Sequence, residues 1–207
     1  IQEDDFDNIY ILGRTNGNYP ISPNVWVGNA SGSVFIDILD SSLTTRSLST
    51  RLASNGYIPS AFLVDDCGNL YVGGFGASRV AGYQVTANAY DSDNQNRNFW
   101  FCTIGRNFSE LIYASFFGES SSDHSHIGRH RFDPEGIIYH SICCNIGGNP
   151  ATTNSNSYSR LKQTSGQDVL SFKFNFEKVG VSSVFEPDRL GTPMDSFCAP
   201  HTVDFTN

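Results

Sequence analysis

The densest group of potential metal ligands in the sequence is Asp123-His124-Ser125-His126. On a strand, alternate side chains share a face, so His124 and His126 could bind a divalent ion such as zinc together with the Asp123 carboxylate. The simpler interpretation is an exposed loop that leads into a strand edge. We favour that interpretation over a metal site.

An aspartate recurs three times ahead of an apolar run, as Asp4, Asp65 and Asp133. A repeated carboxylate could bind calcium. A turn role explains the recurrence better, because an Asp side chain accepts backbone N–H groups and a following glycine tolerates positive φ. We therefore expect structural turn residues, without a bound ion, at Asp4, Asp65, Gly68, Asp133 and Gly136.

Signatures of catalysis are missing from the sequence. It contains no G-x-S-x-G, no H-E-x-x-H and no phosphate-binding glycine loop. Glu119 and Asp123 could imitate the two carboxylates of a glycosidase, but their separation does not follow from the sequence. We expect a chain that has no catalytic residue and needs no cofactor.

Composition narrows the classes of partner. The 207 residues carry a net charge of −8 and no basic run, which argues against nucleic acid as a partner. No apolar stretch approaches the roughly 18 residues that a membrane-spanning helix needs. Only 16% of residues are charged, so solubility depends on Asn, Ser, Thr and Gly, as in many secreted all-β domains.

The five cysteines allow two interpretations. As small apolar residues they would be buried in the core. If the protein is extracellular, we expect one disulfide, which would join Cys102 to Cys143 or Cys144. Cys67 and Cys198 complete the set, and no pair has the C-x-x-C spacing of zinc or redox motifs.

Three segments of the chain repeat a turn followed by an apolar run with a central tyrosine: Tyr10, Tyr71 or Tyr139. Two further landmarks follow each run in the same order. The first is a triplet that ends in an aromatic residue, at Trp26, Tyr90 and Tyr158. The second is an apolar segment, at 34–39, 99–104 and 169–174. Each landmark predicts a strand, and the repetition indicates tandem units.

Each unit predicts about four antiparallel strands, and four-stranded units in tandem are typical of a β-propeller. The predicted fold is all-β, with about three four-stranded antiparallel blades at residues 1–53, 54–120 and 121–193. Residues 194–207 form a linker and the start of another domain. Because three blades cannot close a ring, we expect further blades or a protein partner at the open blade edges.

These patterns resemble the bacterial SBBP-type β-propeller repeat, D-x-x-G-N-[IL]-Y-[IV]-x-G followed later by L-x-Y-x-[ST]-[FY]-[FL]-G. The second copy is the most similar, at 65–74 and 111–118. The first copy keeps a Pro-containing loop at 19–24, and the third departs from the pattern at His140 and Ser141. The resemblance covers residues 1 to about 180 and implies a propeller fold.

Residues 197–207 resemble the opening of a PKD domain. A propeller followed by PKD modules is similar to large surface proteins of gliding bacteria that are exported by the type IX secretion system. The resemblance implies a non-enzymatic scaffold or adhesin, extracellular or on the cell surface, with the secretion machinery as one partner. Since the chain starts at Ile1, we expect either a removed leader or an excerpt of a longer protein.

Long polar loops at 87–98 and 145–159 are candidate binding elements. Tyr83, Tyr90 and Tyr158 could stack on surface glycans or pack against a partner protein. The alternative is that the aromatic residues recurring in register with Trp26 pack within or between blades. A carbohydrate-binding propeller is therefore the alternative function, ahead of a propeller glycosidase or lyase.

Overall fold

The computed structural model describes residues 1–53, 56–76, 83–92, 99–117, 130–133, 137–144, 168–175, 188–189 and 192–193. Its elements are antiparallel β-strands and one short 3-10 turn, which confirms the prediction of an all-β antiparallel fold. The chain forms two compact units, residues 1–176 and 177–207.

Sheet I consists of four strands in sequence order, β1 (Gln2–Glu3), β2 (Ile9–Arg14), β3 (Val34–Leu39) and β4 (Arg46–Ala53). Aliphatic and aromatic residues dominate β2 and β3, as expected for half-buried strands. The two strands pair so that Tyr10 lies opposite Ile38. Every connection joins neighbouring antiparallel strands, so the sheet is a simple meander.

Sheet II repeats this arrangement with β5 (Ile58–Val64), β6 (Leu70–Phe75), β7 (Phe99–Ile104) and β8 (Leu111–Phe117). The sequence predicted antiparallel pairing of β5 with β6 and of β7 with β8, and both pairs are present. In the central pair, Tyr71 lies opposite Thr103, the same register as Tyr10 and Ile38 in sheet I.

Sheet III contains β9 (His130–Phe132), β10 (Ile137–Cys144) and β11 (Asp168–Asn175), in the order β11-β10-β9. The sequence predicted four strands, and the described residues account for three of them. Tyr139 lies opposite Lys173, so the register of the first two sheets recurs a third time. None of the described sheets closes on itself.

The three sheets pack face to face in sequence order. We call the side of each sheet that carries Tyr10, Tyr71 or Tyr139 its tyrosine face, and the other side its opposite face. The tyrosine face of sheet I packs on the opposite face of sheet II. Residues from both faces are fully buried there, including Ile36, Leu70, Val72 and Trp100, and burying each such side chain stabilises the fold by roughly 1.5–3 kcal/mol.

A second apolar cluster joins the tyrosine face of sheet II to sheet III. It contains Tyr71, Phe99, Phe101, Phe132 and Ile138. His140, where the third repeat departs from the pattern, is buried here with its ring edge-on to Phe99 and Phe101, at centroid distances of 5.7 and 5.4 Å. Sheet II is therefore covered on both faces, and β5 contacts β1, β2 and β9 of the flanking sheets.

The β2–β3 loop returns along the outer strand of its own sheet. Gly28 donates its backbone N–H to Arg51, and the Thr50 hydroxyl donates to the Trp26 carbonyl. The segment ending at Trp26 was predicted as a strand, as was the segment ending at Tyr90, and both predictions are wrong. Asn24 has a φ of 60°, which breaks extended pairing, so the segment remains a loop that covers the β4 edge.

The β6–β7 loop covers β8 in the same way. Thr86 donates its backbone N–H to the Ala114 carbonyl, and Phe116 donates to the Asp91 carbonyl. Covering an outer strand hides the N–H and C=O groups that would otherwise pair with another chain. In the second compact unit, β12 (Asp188–Arg189) and β13 (Thr192–Pro193) form a short antiparallel pair.

Candidate functional site

The recurring aspartate and tyrosine of sheet I form one hydrogen-bonded network at the β1–β2 turn. Asp4 Oδ1 accepts the backbone N–H groups of Phe6 and Asn8, both at 2.9 Å. Asp4 Oδ2 accepts the Asn8 side-chain amide at 2.9 Å and the Tyr10 hydroxyl at 3.1 Å. The carboxylate thus fixes the turn and satisfies the polar end of a buried tyrosine.

Sheet II contains the same network, formed by the same atoms. The tyrosine again follows the aspartate by six residues. Asp65 Oδ1 accepts the backbone N–H groups of Cys67 and Asn69, at 2.9 and 2.8 Å. Asp65 Oδ2 accepts the Asn69 amide at 3.1 Å and the Tyr71 hydroxyl at 3.2 Å. Gly68 has a φ of 76°, a conformation that favours glycine, and so completes the turn.

The third copy of the turn retains part of this network. Asp133 Oδ1 accepts the backbone N–H of Ile137 at 2.9 Å, four residues on, as in the other two turns. Gly136, predicted as a turn residue, lies outside the described residues. Tyr139 is 44% exposed, whereas Tyr10 and Tyr71 are 1% and 2% exposed. The contact between the aspartate and the residue four positions on therefore recurs three times, while the environment of the tyrosine changes in sheet III.

Electrostatics in these turns keep both phenols neutral and keep Asp4 charged. Burial and the neighbouring Asp4 charge raise the pKa of Tyr10, and burial and the Asp65 charge raise that of Tyr71. Burial also acts to raise the pKa of Asp4, but its hydrogen bonds from Asn8, Phe6 and Tyr10 outweigh burial and lower it. With all of these donors in place, the arrangement suits turn formation better than ion binding.

A different polar cluster lies on the opposite face of sheet I. The Tyr19 hydroxyl donates a hydrogen bond to Asp37 Oδ2 at 2.5 Å, and Arg46 Nε contacts the same oxygen at 3.2 Å. The Arg46 guanidinium lies over the Tyr19 ring, 5.2 Å from its centroid. The ring itself stacks on Phe35 at 3.8 Å. Aromatic stacking and a charge-assisted hydrogen bond thus hold the loop residue against the sheet.

The second carboxylate oxygen of Asp37 has no hydrogen-bond donor in the described part of the chain. Asp37 is 4% exposed, and its Oδ1 accepts no hydrogen bond from the described part of the chain. A buried carboxylate oxygen without a donor is costly, because burial removes its hydrogen bonds to water. Burial, the Asp37 hydrogen bond and the Asp37 charge raise the pKa of Tyr19 to about 12. The raised pKa keeps the Tyr19 phenol protonated at neutral pH, so this hydroxyl is not a nucleophile.

The sequence analysis missed Tyr19, Asp37 and Arg46. One signal was available: Asp37 is the only charged residue in the otherwise apolar run Val34–Leu39. A charge inside a buried strand needs a partner, so this position could have been singled out. Its partner Arg46 is nine residues away and follows a turn. Charged residues are common next to turns, so this position gave no signal of its own.

The three tyrosines proposed as binding residues have different surroundings. Tyr83 packs against the first core cluster, with its ring 5.3 Å from Trp100 and 5.9 Å from Tyr57. Tyr90 is 45% exposed, with one side of its ring against Phe117 at 6.2 Å. Tyr158 lies outside the described residues. Of the two that the structure describes, Tyr90 has the accessible ring.

Comparison with known proteins adds no family assignment. The chain matches no protein-family model and no curated protein. Interpretation therefore depends on the geometry of the chain itself and on the repeat pattern. No helix in the described part of the chain is long and apolar enough to cross a membrane.

The candidate metal ligands Asp123, His124 and His126 and the candidate acid Glu119 lie outside the described residues. Within the described ranges, no three His, Cys, Asp or Glu side chains are grouped so that they could hold a metal ion. The metal site thus stays a sequence-based hypothesis about Asp123, His124 and His126.

The cysteines correct one expectation. Cys102 is a free and fully buried thiol, which confirms the core interpretation for this residue, and the alternative of a disulfide from Cys102 to Cys143 or Cys144 is wrong. Cys102 points from β7 into the interface with sheet I, and burial raises the pKa of this thiol, which keeps it unreactive. The disulfide-bonded cysteine is instead Cys67, in the β5–β6 turn. Its partner lies outside the described side chains.

Proposed function

We propose that this chain is a non-enzymatic β-propeller module of a secreted or cell-surface protein, in which it acts as a scaffold or adhesin. The observation that carries the proposal is the stacking of three sheets with one shared register, tyrosine face on opposite face. Identical units that bury their faces only against neighbours are the basis of repeat architectures, which provide extended binding surfaces.

The arrangement of strands supports blades rather than separate sandwiches. Each of the first two sheets is a four-stranded meander, and the first strand of sheet II contacts the first strands of both neighbouring sheets. Propeller blades meet in this way near the central axis of the ring. The outer strands β4 and β8 are covered by loops, as expected for strands at the rim.

The use of the polar residues supports a structural role. The recurring Asp4 and Asp65 accept hydrogen bonds within their turns. They also accept the hydrogen bonds of the Tyr10 and Tyr71 hydroxyls. Arg51 is buried and donates to the Gly32 carbonyl, where it fixes a loop. Such hydrogen bonds stabilise one conformation of the chain. A catalytic group would instead have to lie within reach of a substrate.

The disulfide at Cys67 supports an extracellular location. Disulfides persist in oxidising compartments and are rare in the cytosol. Type IX export, a role on the surface of gliding cells and a PKD domain after residue 194 follow from the sequence resemblance, and they belong to the same proposal. Partners would be other blades, a partner protein or the secretion machinery.

Peptide mapping without reduction tests the location. Protein isolated from the medium or cell surface of its native host, with thiols blocked at lysis, should contain Cys67 in a disulfide and Cys102 as a blocked thiol. Recovery of the protein from the cytoplasm with Cys67 reduced would contradict an extracellular scaffold. Hydrolysis of a polysaccharide that is lost on the single substitution Asp37→Asn would contradict the non-enzymatic role.

A second candidate, carbohydrate binding, is favoured by the exposed ring of Tyr90. Aromatic rings on loops stack on sugar rings, and Phe117 already braces one side of this ring. Glycan-array binding that is lost in Tyr90→Ala and kept in Tyr90→Phe would support a lectin-like module. Equal binding by both variants would exclude this tyrosine as the sugar platform.

A further inference from the structure

The shared register makes positions in the three sheets directly comparable. In sheet III, Tyr139 lies opposite Arg131 of β9 and Lys173 of β11, so the three residues form one row across the tyrosine face. The tyrosines of the other two sheets occupy the middle of equivalent rows. Their neighbours there are uncharged, namely Gln2 and Ile38 in sheet I, and Leu63 and Thr103 in sheet II. Among the described sheets, sheet III alone places a cation on each side of the tyrosine.

This row is exposed in sheet III and covered in the other two sheets. Tyr139 is 44% exposed, and Arg131 and Lys173 are exposed as well. Tyr10 and Tyr71 are buried in the apolar clusters that join each sheet to the next. The tyrosine face of sheet III therefore presents an aromatic ring and two cations to solvent.

The two cations of the row have no carboxylate partner among the described residues, where the ion pair joins Arg46 to Asp37 in sheet I. The Lys173 ammonium instead lies over the Tyr139 ring, 5.5 Å from its centroid. The chain as a whole is acidic, with a net charge of −8. The row is thus a local positive patch on an acidic chain, and such a patch attracts an anion.

Two serine hydroxyls border the row. Ser141 and Ser171 lie opposite each other, two residues away from the row along β10 and β11, and their Oγ atoms are 2.9 Å apart. A hydroxyl both donates and accepts hydrogen bonds, so this pair suits the hydroxyl groups of a ligand. Neighbouring strands lie about 4.8 Å apart, so the row from Arg131 to Lys173 spans about 10 Å, enough for a sugar ring and its substituents.

These groups together match the chemistry of an acidic sugar. An exposed tyrosine ring offers a flat apolar surface on which the C–H groups of a sugar ring can stack. Lysine and arginine beside it bind a carboxylate or sulfate group through charge-assisted hydrogen bonds. An acidic peptide would satisfy the two cations but brings no sugar ring for Tyr139. A nucleic acid could stack on the tyrosine, but the acidic remainder of the chain would repel its phosphates.

We propose that the tyrosine face of sheet III binds an anionic saccharide, with a sugar ring on Tyr139 and its carboxylate or sulfate group held by Lys173 and Arg131. This site is separate from Tyr90, which lies on a loop of sheet II. The inference rests on the proposed function only in treating the three sheets as equivalent units.

Titration calorimetry of the chain with defined probes tests the anionic group and the sugar ring separately. Oligogalacturonate supplies carboxylated sugar rings, and dextran sulfate supplies sulfated ones. The chain should bind at least one of the two, and binding should weaken as the salt concentration rises. The methyl ester of oligogalacturonate and unsulfated dextran, which lack the charge, should bind at least about tenfold more weakly. Poly-glutamate, which has carboxylates but no sugar ring, should also bind at least about tenfold more weakly.

Substitutions in the row test which side chains bind the probe. Lys173→Gln should weaken binding about tenfold, because it removes a charge-assisted hydrogen bond. Tyr139→Ala should weaken it by a similar factor, whereas Tyr139→Phe keeps the ring and should stay within about twofold of the wild type. Arg106→Gln removes one positive charge from an exposed turn of sheet II, and this matched control should bind as the wild type does. All three positions are exposed, so circular dichroism should show an unchanged fold.

Three results would each overturn the proposal. The first is a chain that binds neither acidic saccharide, as expected if another sheet or a protein covers this face. The second is equal affinity for poly-glutamate, which would assign the face to acidic peptides. The third is unchanged affinity in Lys173→Gln and Tyr139→Ala, which would place the binding elsewhere. None of these results affects the disulfide test of the scaffold, so the two proposals fail separately.

Discussion

Tyr71 donates a hydrogen bond from its buried hydroxyl to Asp65, six residues earlier in the chain and across a tight turn. Tyr10 and Asp4 make the same contact in the preceding sheet. One carboxylate thus organises the turn and satisfies a phenol inside the interface between sheets. This link between a turn and a sheet interface explains why the aspartate and tyrosine recur together.

The Asp65 carboxylate should contribute to the free energy of unfolding mainly through the hydrogen bonds that it accepts. Asp65→Ala removes the acceptor of the Tyr71 hydroxyl and of two backbone N–H groups, and should lower the free energy of unfolding by about 2 kcal/mol. Asp66→Ala, at the exposed neighbouring residue, should change it by less than about 0.5 kcal/mol. Urea denaturation monitored by circular dichroism provides the comparison, and equal losses would refute the network.

Acid should weaken the fold through carboxylates with lowered pKa values. Hydrogen bonds from the Thr45 and Thr44 backbone lower the pKa of Asp40 from 3.8 to about 2, and the pKa of Asp4 is also lowered. A lowered folded-state pKa gives stability that is complete above the unfolded value and is lost as the pH falls to the folded value. The urea midpoint should therefore drop between about pH 4 and pH 2. Asp40→Asn should flatten that drop, and an unchanged profile would contradict the assignment.

Alkali should reveal the buried phenols. Burial raises the pKa of Tyr57, Tyr10 and Tyr71, and the pKa of Tyr19 is about 12. Because their folded pKa values are raised, the stability they contribute is complete below about pH 10 and is lost as the pH rises above it. Tyrosinate absorbance should show these four phenols ionising only with unfolding. Simple titration of all nine tyrosines near pH 10 would disprove their burial.

Gly73 tests the packing of sheet II on sheet III. A Cβ at this position would lie 2.6 Å from Ile138 Cδ1 of the next sheet, closer than real contacts allow. Gly73→Ala should therefore destabilise the fold by about 1–3 kcal/mol. Gly17→Ala, where a Cβ meets nothing within 4 Å, is the matched control. Similar melting temperatures for the two variants would show that the sheets are not in contact at Gly73.

The strands and their pairing followed from the sequence because period-two patterning and turn residues are local signals. The Asp65 turn and the β7–β8 pair, for example, needed no long-range information. The loop at Trp26 was mistaken for a strand, because its contacts with β4 arise only after the sheet has formed. The Asp37 cluster was missed, and the choice between a core thiol and a disulfide at Cys102 stayed open, for the same reason. Both depend on which faces of the sheets pack together. A one-residue shift in strand register would move these side chains to the other face of their sheet.

Hydrogen exchange of the backbone amides tests the serial stacking of the sheets most directly. If sheet II is covered on both faces, the amides of Leu70–Phe75 and Phe99–Ile104 should exchange most slowly, with the free energy of global unfolding. Amides of β11, beside an exposed face, should exchange at least about tenfold faster. Equal protection of the two regions, or faster exchange in the middle sheet, would contradict the central claim that each sheet packs on the next.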